Sequence, residues 1–384
     1  MKYKLSDICE FVKEKIDVAN LDVTNYISTE NMVPDKGGIS AAAALPSVVQ
    51  TQGFSVGDTL VSNIRPYFKK IWYAKNDGGC SNDVLVFRAK EGVNSRFLYY
   101  VLADDKFFGY AMATSKGTKM PRGDKKAIME YAVPAISYDT QCKVADMLSS
   151  IDDKIETNMA INKNLEEQLS LIFKNFFAES ISKSTSEECH MLGDLITIID
   201  NRGRTPPLTT ETFEYPIIDV GALKGSGRIV DFNNCTKYVD KLTYETWFRN
   251  GHPQPWDILL STVGSVAEMK IYRGTKGCIA QNVVALRATR ISPLYLYQYL
   301  QFIRSDLIAY NIGSVQPSIK VTHIIKHPIF VPDFKLIKSF EETAKTITNQ
   351  LYANCNEIEL LKALRDTLLH RLLSGEIDVS DIEI

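Results

Sequence analysis

A chain of 384 residues with 45% apolar content has material for two ordinary domains, each with a core of its own. No stretch of about 18 apolar residues offers a membrane span, and seven cysteines, an odd number without a Cys-x-x-Cys, suggest free thiols rather than a disulfide framework or a zinc ribbon. A formal charge of -2 and a pI near 6.3 leave a polyanionic partner open, because acidic helices can mask a basic face in the total; only local charge can decide.

The N-terminus has no apolar run of signal-peptide length, so a cytoplasmic location is expected. Residues 1–138 read as a first mixed α/β module: Asp58–Ser62 and Asp83–Phe87 have the short apolar runs of strands, and Arg96–Phe108 those of a helix rich in Leu, Tyr and Phe. Residues 139–180 form a first long helix whose seam repeats every seven residues, with Ile151, Ile155, Leu165 and Leu169 at apolar positions and Asn158 and Asn162 among them. A polar stretch over 180–188 reads as a linker, and residues 189–335 form a second module. Residues 336–374 carry the seam again, through Ile347, Leu351, Asn354, Leu361 and Leu368, and 375–384 are a tail. A narrow apolar seam cannot stand alone in water, so the two helices are expected to pack on each other, antiparallel, with a module at each end. A core Asn costs stability and usually fixes register, so Asn158, Asn162 and Asn354 read as register pins. The fold class expected is α+β: two mixed modules, each followed by a long helix, the helices forming an antiparallel coiled coil.

The second half repeats the first. Asp58-x-Leu60-x-Ser62 answers Asp257-x-Leu259-x-Ser261, and Arg88-Ala89 answers Arg287-Ala288, both at an offset of 199. Gly117 and Pro121 answer Gly313 and Pro317 at 196, and Val133-Pro134 answers Val331-Pro332 at 198. So many identities kept in order mark a duplication of module plus helix.

Catalytic motifs are missing. There is no Gly-x4-Gly-Lys-Ser/Thr phosphate loop, and Gly225-Ser226-Gly227 lacks the third glycine and following helix of a dinucleotide site. No Asn/Asp-Pro-Pro-Tyr/Phe tetrapeptide occurs; Thr205-Pro206-Pro207-Leu208 has the prolines without the flanking groups. His323 and His327 have the i, i+4 spacing of some zinc sites, but no Glu follows His323 and no third ligand is evident, so they read as a polar or phosphate-facing pair and no metal is expected.

Local charge is more informative. The glycine-rich run 115–126 holds Lys116, Lys119, Arg122, Lys125 and Lys126 against the single anion Asp124, a composition suited to close approach to phosphates. Its counterpart over 313–320 offers Ser314, Gln316, Ser318 and Lys320, groups that can bond phosphates or base edges. Arg65 with Lys69 and Lys70, and Arg202 with Arg204, are further basic clusters that could share those faces. Taken singly, such clusters are often only solvated charge runs; the strongest sits at a repeated position, which favours DNA contact.

On these features the whole chain resembles the specificity subunits of type I restriction-modification systems. The most specific signals are Leu364-Arg365-x-x-Leu368-Leu369-x-x-Leu372-Leu373-Ser374-Gly375-Glu376-Ile377, the run Tyr26-Ile27-Ser28-Thr29-Glu30-Asn31-Met32, and Gly313-Ser314-x-Gln316-Pro317-Ser318-Ile319. The first copy departs from the last of these, with Lys119-Met120-Pro121-Arg122 in its place, so the two halves need not make the same contacts. The resemblance implies a subunit without catalysis of its own. Each target-recognition domain would read one half of a split, asymmetric site in double-stranded DNA, while the helices set the gap and hold two modification (methyltransferase) subunits. Restriction subunits with translocase and nuclease activity would join them. S-adenosylmethionine, ATP and magnesium would then sit on those partners, with no cofactor bound by this chain. Two other readings stay open: the same kind of subunit serving a methylation-only or other phage-defence assembly, and a coiled-coil scaffold that binds no DNA.

Overall fold

The structure, a computed structural model, describes residues 2–185, 187–225, 227–313 and 315–379. The chain divides into two compact units, one of Met1–Ile155 with Glu359–Ile384 and one of Glu156–Ile358. Among the described residues no helix is long and apolar enough to cross a membrane.

In the first unit an antiparallel sheet has the order Cys9–Phe11, Val84–Ala89, Thr59–Ser62, Ile71–Tyr73. Its central strands are mostly apolar and buried along nearly their whole length because both faces are covered, and alternate side chains go to different cores. Val61, Leu85 and Phe87 face the helices Ser95–Ala103 and Asp105–Ala113. Leu60, Val84 and Val86 face Ile27, Phe54 and Cys80 of a second sheet, ordered Lys15–Asp17, Gln50–Phe54, Gly78–Cys80, Tyr26–Ile27. That sheet closes tightly at Gly78, where a Cβ would collide with the Asn25 carbonyl. The single helix expected over 96–108 is two helices. Asp104 is extended and its carboxylate accepts a hydrogen bond from the Lys106 backbone N–H at 3.2 Å, so an acidic cap at the head of the charged triplet Asp104-Asp105-Lys106 ends one helix and starts the next.

The second unit repeats this plan with the order Ile196–Ile199, Val283–Ala288, Ile258–Ser261, Met269–Ile271. The register is conserved between copies: Leu60 pairs with Val86 and Leu259 with Ala285. A short strand pair also recurs, Lys2–Lys4 with Ala132–Pro134 and Cys189–Met191 with Pro328–Phe330. Asp58 and Arg88 form a two-bond ion pair at 2.8 and 2.8 Å, and Asp257 and Arg287 form its copy at 3.0 and 2.7 Å. Those repeated identities therefore hold the sheet and its loops together. The copies differ on the far face, where the second unit has, among the described residues, the two-stranded pair Tyr215–Pro216 with Tyr238–Val239 in place of a four-stranded sheet.

The first long helix runs Tyr138–Phe173, continues through a π turn at Lys174–Ala178 and ends with Glu179–Lys183; the second runs Phe334–Ser374. Gly375, at φ 76°, supplies the left-handed residue that stops it. Within the first unit Val144 and Leu148 share a core with Leu369 and Leu372, and Arg365 donates to Asp152 at 2.9 Å, while Asp152 also accepts from the Tyr100 hydroxyl at 2.7 Å. Within the second unit Asn158 donates to Glu357 and Asn354 donates to Asn162, each at 2.8 Å, and Leu165 and Leu169 pack with Ile347 and Leu351. Rising numbers on one helix meet falling numbers on the other, so in each unit the helices are antiparallel. Ile151 and Ile155 are buried, but Leu361 and Leu368 are half-buried. Leu369 takes the buried place beside Leu368, and Thr348 that beside Ile347, where the Arg228 guanidinium donates to the Thr348 hydroxyl.

Candidate nucleic-acid interface

Two loops meet in each module by the same backbone bonds. In the first, the turn after Thr59–Ser62 and the hairpin 115–123 are clasped: the Arg65 N–H donates to the Pro121 carbonyl at 2.8 Å and the Gly123 N–H to Asn63 at 3.2 Å. Lys116 and Arg122 exchange both backbone bonds at 2.9 Å and close the hairpin. In the second, Gly264 donates to Pro317 at 2.9 Å, Ile319 to Thr262 at 2.8 Å, and Ile312 to Ser318 at 2.9 Å. The clasp is thus duplicated as backbone, with different side chains on it.

On the first clasp, Lys119, Lys125 and Lys126 are exposed and form no ion pair among the described residues. Lys116 lies 2.5 Å from Asp124, and Arg122 lies 3.1 Å from Asp83. The hydrogen bond from Lys116, with those from the N–H groups of Lys126 and Ala127, holds the Asp124 carboxyl below the usual carboxylate range. Asp124 caps the short helix Lys125–Met129, which fixes where the last two lysines stand. The other cluster is largely engaged. Lys69 pairs with Asp105 at 2.8 Å, while Lys70 donates to the Thr29 carbonyl at 2.6 Å and is pushed down in pKa by burial. Burial alone would raise Asp105, but the bonds and charges of Lys69 and Lys36 outweigh it and leave its carboxyl below the ordinary value. Arg65 is half-buried, with its Nε and the neighbouring Asn63 Oδ1 buried and without hydrogen-bond partners among the described residues.

On the second clasp, Gln316 and Lys320 are exposed, Ser318 is half-buried, and Ser314 lies outside the described residues. Arg202 is bound by two bonds to Asp200, at 2.8 and 2.6 Å, and by a third to the Thr262 hydroxyl at 3.2 Å, so it braces the clasp. Arg204 is exposed. A cavity of about 320 Å³ in this module is lined by Thr205, Asp219, Asn234, Lys237, Gln281 and Asn282. His327 lies beyond the short helix Val321–Ile325, is bonded to the Tyr310 hydroxyl at 2.9 Å, and is lowered in pKa by burial. The two histidines therefore do not share one helical face.

Sequence reasoning missed two features. One is the wholly buried Arg228, which holds Glu166 at 2.6 Å and also donates to Gln298 and Thr348 at 3.3 Å. The other is the exposed aromatic pair Tyr67 and Phe68 at the crest of the first clasp. Of the family-like runs, the one at 26–32 is a structural knot: Asn31 accepts from the Ser28 N–H at 2.6 Å and donates to the carbonyls of Tyr26 and Ser40 at 3.1 and 2.8 Å.

Residues 1–167, the first module and most of its helix, match the family described as type I restriction modification DNA specificity domain. The chain is 22% identical over 321 residues to the type I restriction enzyme MjaIX specificity subunit of Methanocaldococcus jannaschii, spanning 76% of this chain and 71% of that protein. It is 23% identical to the HindI specificity subunit of Haemophilus influenzae, over 98% of this chain and 99% of the relative. The crystal structure of a type I restriction-modification system S subunit from M. genitalium has the same fold, with a TM-score of 0.56, 14% identity and coverage of 97% and 96%. Over nearly its whole length the chain is thus similar to specificity subunits of type I restriction-modification systems.

Proposed function

We propose that this subunit reads a bipartite, asymmetric DNA site, one half with each clasp. The observation that carries this reading is a duplicated backbone clasp bearing unlike side chains: a cationic hairpin with aromatic residues in the first module, and amide, hydroxyl and single cationic groups in the second. Common backbone geometry would present each module to a duplex in the same way, and unlike side chains would select different bases. The paired helices set the gap between half-sites and carry two modification subunits, to which restriction subunits are added. The chain itself does no chemistry; S-adenosylmethionine, ATP and magnesium belong to those partners.

Methylation profiling of DNA from a cell that expresses this subunit with its modification subunit tests the proposal. The expected result is one motif of two short, dissimilar halves separated by a fixed gap, with no methylation when this chain is omitted. A single continuous motif, or methylation of the same bases without this chain, would overturn it.

A further inference from the structure

The turn over residues 65–69 permits a finer reading, which rests on half-site recognition by the first module. Seven non-glycine residues among those described have positive φ, and four of them meet here: Asp35 at 53°, Lys36 at 61°, Arg65 at 50° and Lys69 at 49°. Left-handed backbone is unfavourable for a residue with a Cβ and persists only where the surroundings impose it. Those surroundings are visible. The N–H of Asp35 donates to the Phe68 carbonyl at 2.9 Å, that of Lys36 to the Lys69 carbonyl at 3.0 Å, and that of Arg65 to Pro121 at 2.8 Å. Below the turn Asp105 ties Lys36 and Lys69 together at 3.1 and 2.8 Å.

What this braced turn displays is Tyr67, 48% exposed, and Phe68, 37% exposed, with ring centroids 4.6 Å apart. The second module shows the alternative. Its turn also has left-handed residues at both ends, Gly264 at φ 84° and Ala267 at φ 60°, but only Ser265 and Val266 stand between them, against Pro66, Tyr67 and Phe68 in the first. The first turn is longer by one residue and carries both aromatic rings. We propose that Tyr67 and Phe68 form an aromatic wedge that stacks on bases at one step of the half-site read by the first module.

Charge selects DNA over an apolar protein surface as the occupant. The hairpin clasped to the turn carries the exposed Lys119, and the short helix after it carries Lys125 and Lys126; these cations draw a phosphate backbone to the wedge, and the surface lying between phosphates is the flat face of a base. Aromatic and apolar wedges act where a step can be partly unstacked, which is easiest at a pyrimidine–purine step, so such a step is expected within that half-site.

The test uses the subunit assembled with its modification subunits and a duplex carrying the mapped motif. For the double variant Tyr67→Ala/Phe68→Ala, binding should fall at least about tenfold. Methylation should become tolerant at one step of one half-site, with the other half-site and the salt dependence unchanged, since no cation is lost. The ring-exchanged variant Tyr67→Phe/Phe68→Tyr should keep affinity and motif, which excludes a folding defect as the cause. Unchanged binding and motif in the double alanine variant would overturn the wedge, and so would equal loss over both half-sites. If the unsubstituted complex showed no sequence preference at all, half-site recognition itself would fail; that outcome is read on a different sample.

Discussion

Replacing Lys119, Lys125 and Lys126 together with alanine should flatten the salt dependence of DNA binding, and more so than replacing Lys116 and Arg122. The three lysines are exposed without ion pairs among the described residues, whereas Lys116 is held at 2.5 Å by Asp124 and Arg122 at 3.1 Å by Asp83. Each cation that reaches a phosphate releases counterions worth about 0.9 units in the slope of log affinity against log salt, hence up to about 2.7 units for three. Between 50 and 200 mM salt, a fourfold range, that slope corresponds to roughly 40-fold in affinity which the native protein loses and the variant does not. The substitution spares the fold, because Asp124 still caps Lys125–Met129 and alanine is a strong helix former. Fluorescence anisotropy of a random-sequence duplex with the assembled complex measures the slope. Asp124→Asn gives the opposite arm: Asn retains the cap but frees Lys116, so the slope should steepen by about 0.9. An unchanged slope in the triple variant, with altered base preference in one half-site instead, would refute the assignment of these lysines to phosphates.

Arg228→Ala should destabilise the second unit by about 3–5 kcal/mol, because it leaves Glu166 without its buried partner; a lowered urea midpoint and faster hydrogen exchange in 156–173 and 334–358 would register it, and a loss under about 1 kcal/mol would not fit. His252 and His327 are both held below the ordinary value of 6.5 by burial, so the unfolded chain binds more protons as pH falls. Stability of the second unit should therefore drop as pH falls below about 6.5 and level off below the folded-state values, and His327→Asn should flatten that slope in denaturation measured from pH 7.5 to 5. One heptad added to each long helix, after Asn158 and after Asn354, adds about 10.5 Å of helix and should lengthen the gap in the methylated motif by about three base pairs with weaker binding; a retained gap with full activity would assign the spacing elsewhere.

The duplication and the helix pairing were legible because both are periodic. A seam every seven residues says which face is buried, and Asp58/Arg88 against Asp257/Arg287 repeats because each pair ties a strand to the loop before its neighbour. The break at Asp104 was hidden because apolar runs lie on both sides of the charged triplet Asp104-Asp105-Lys106 and read as one helix. Arg228 was hidden because its partners, Glu166, Gln298 and Thr348, are distant in sequence and no local pattern marks such a network. In the candidate site, the glycine and charge of 115–126 exposed one loop, but its partner turn had no signal. Left-handed backbone at Arg65 and Lys69 is imposed by Pro121 and Lys36, so nothing in Arg-Pro-Tyr-Phe-Lys announces it. The same ignorance of partners made Lys69, Lys70 and Arg202 look like free cations, whereas Asp105, Thr29 and Asp200 hold them.

The central claim, that each module reads its own half of the site, is tested most directly by exchanging residues 190–335 for the corresponding module of a type I specificity subunit and mapping methylation in cells that carry the matching modification subunit. One half of the motif should change to that of the donor while the other half and the gap stay as they were. A change in both halves would contradict the account, and so would an unchanged motif.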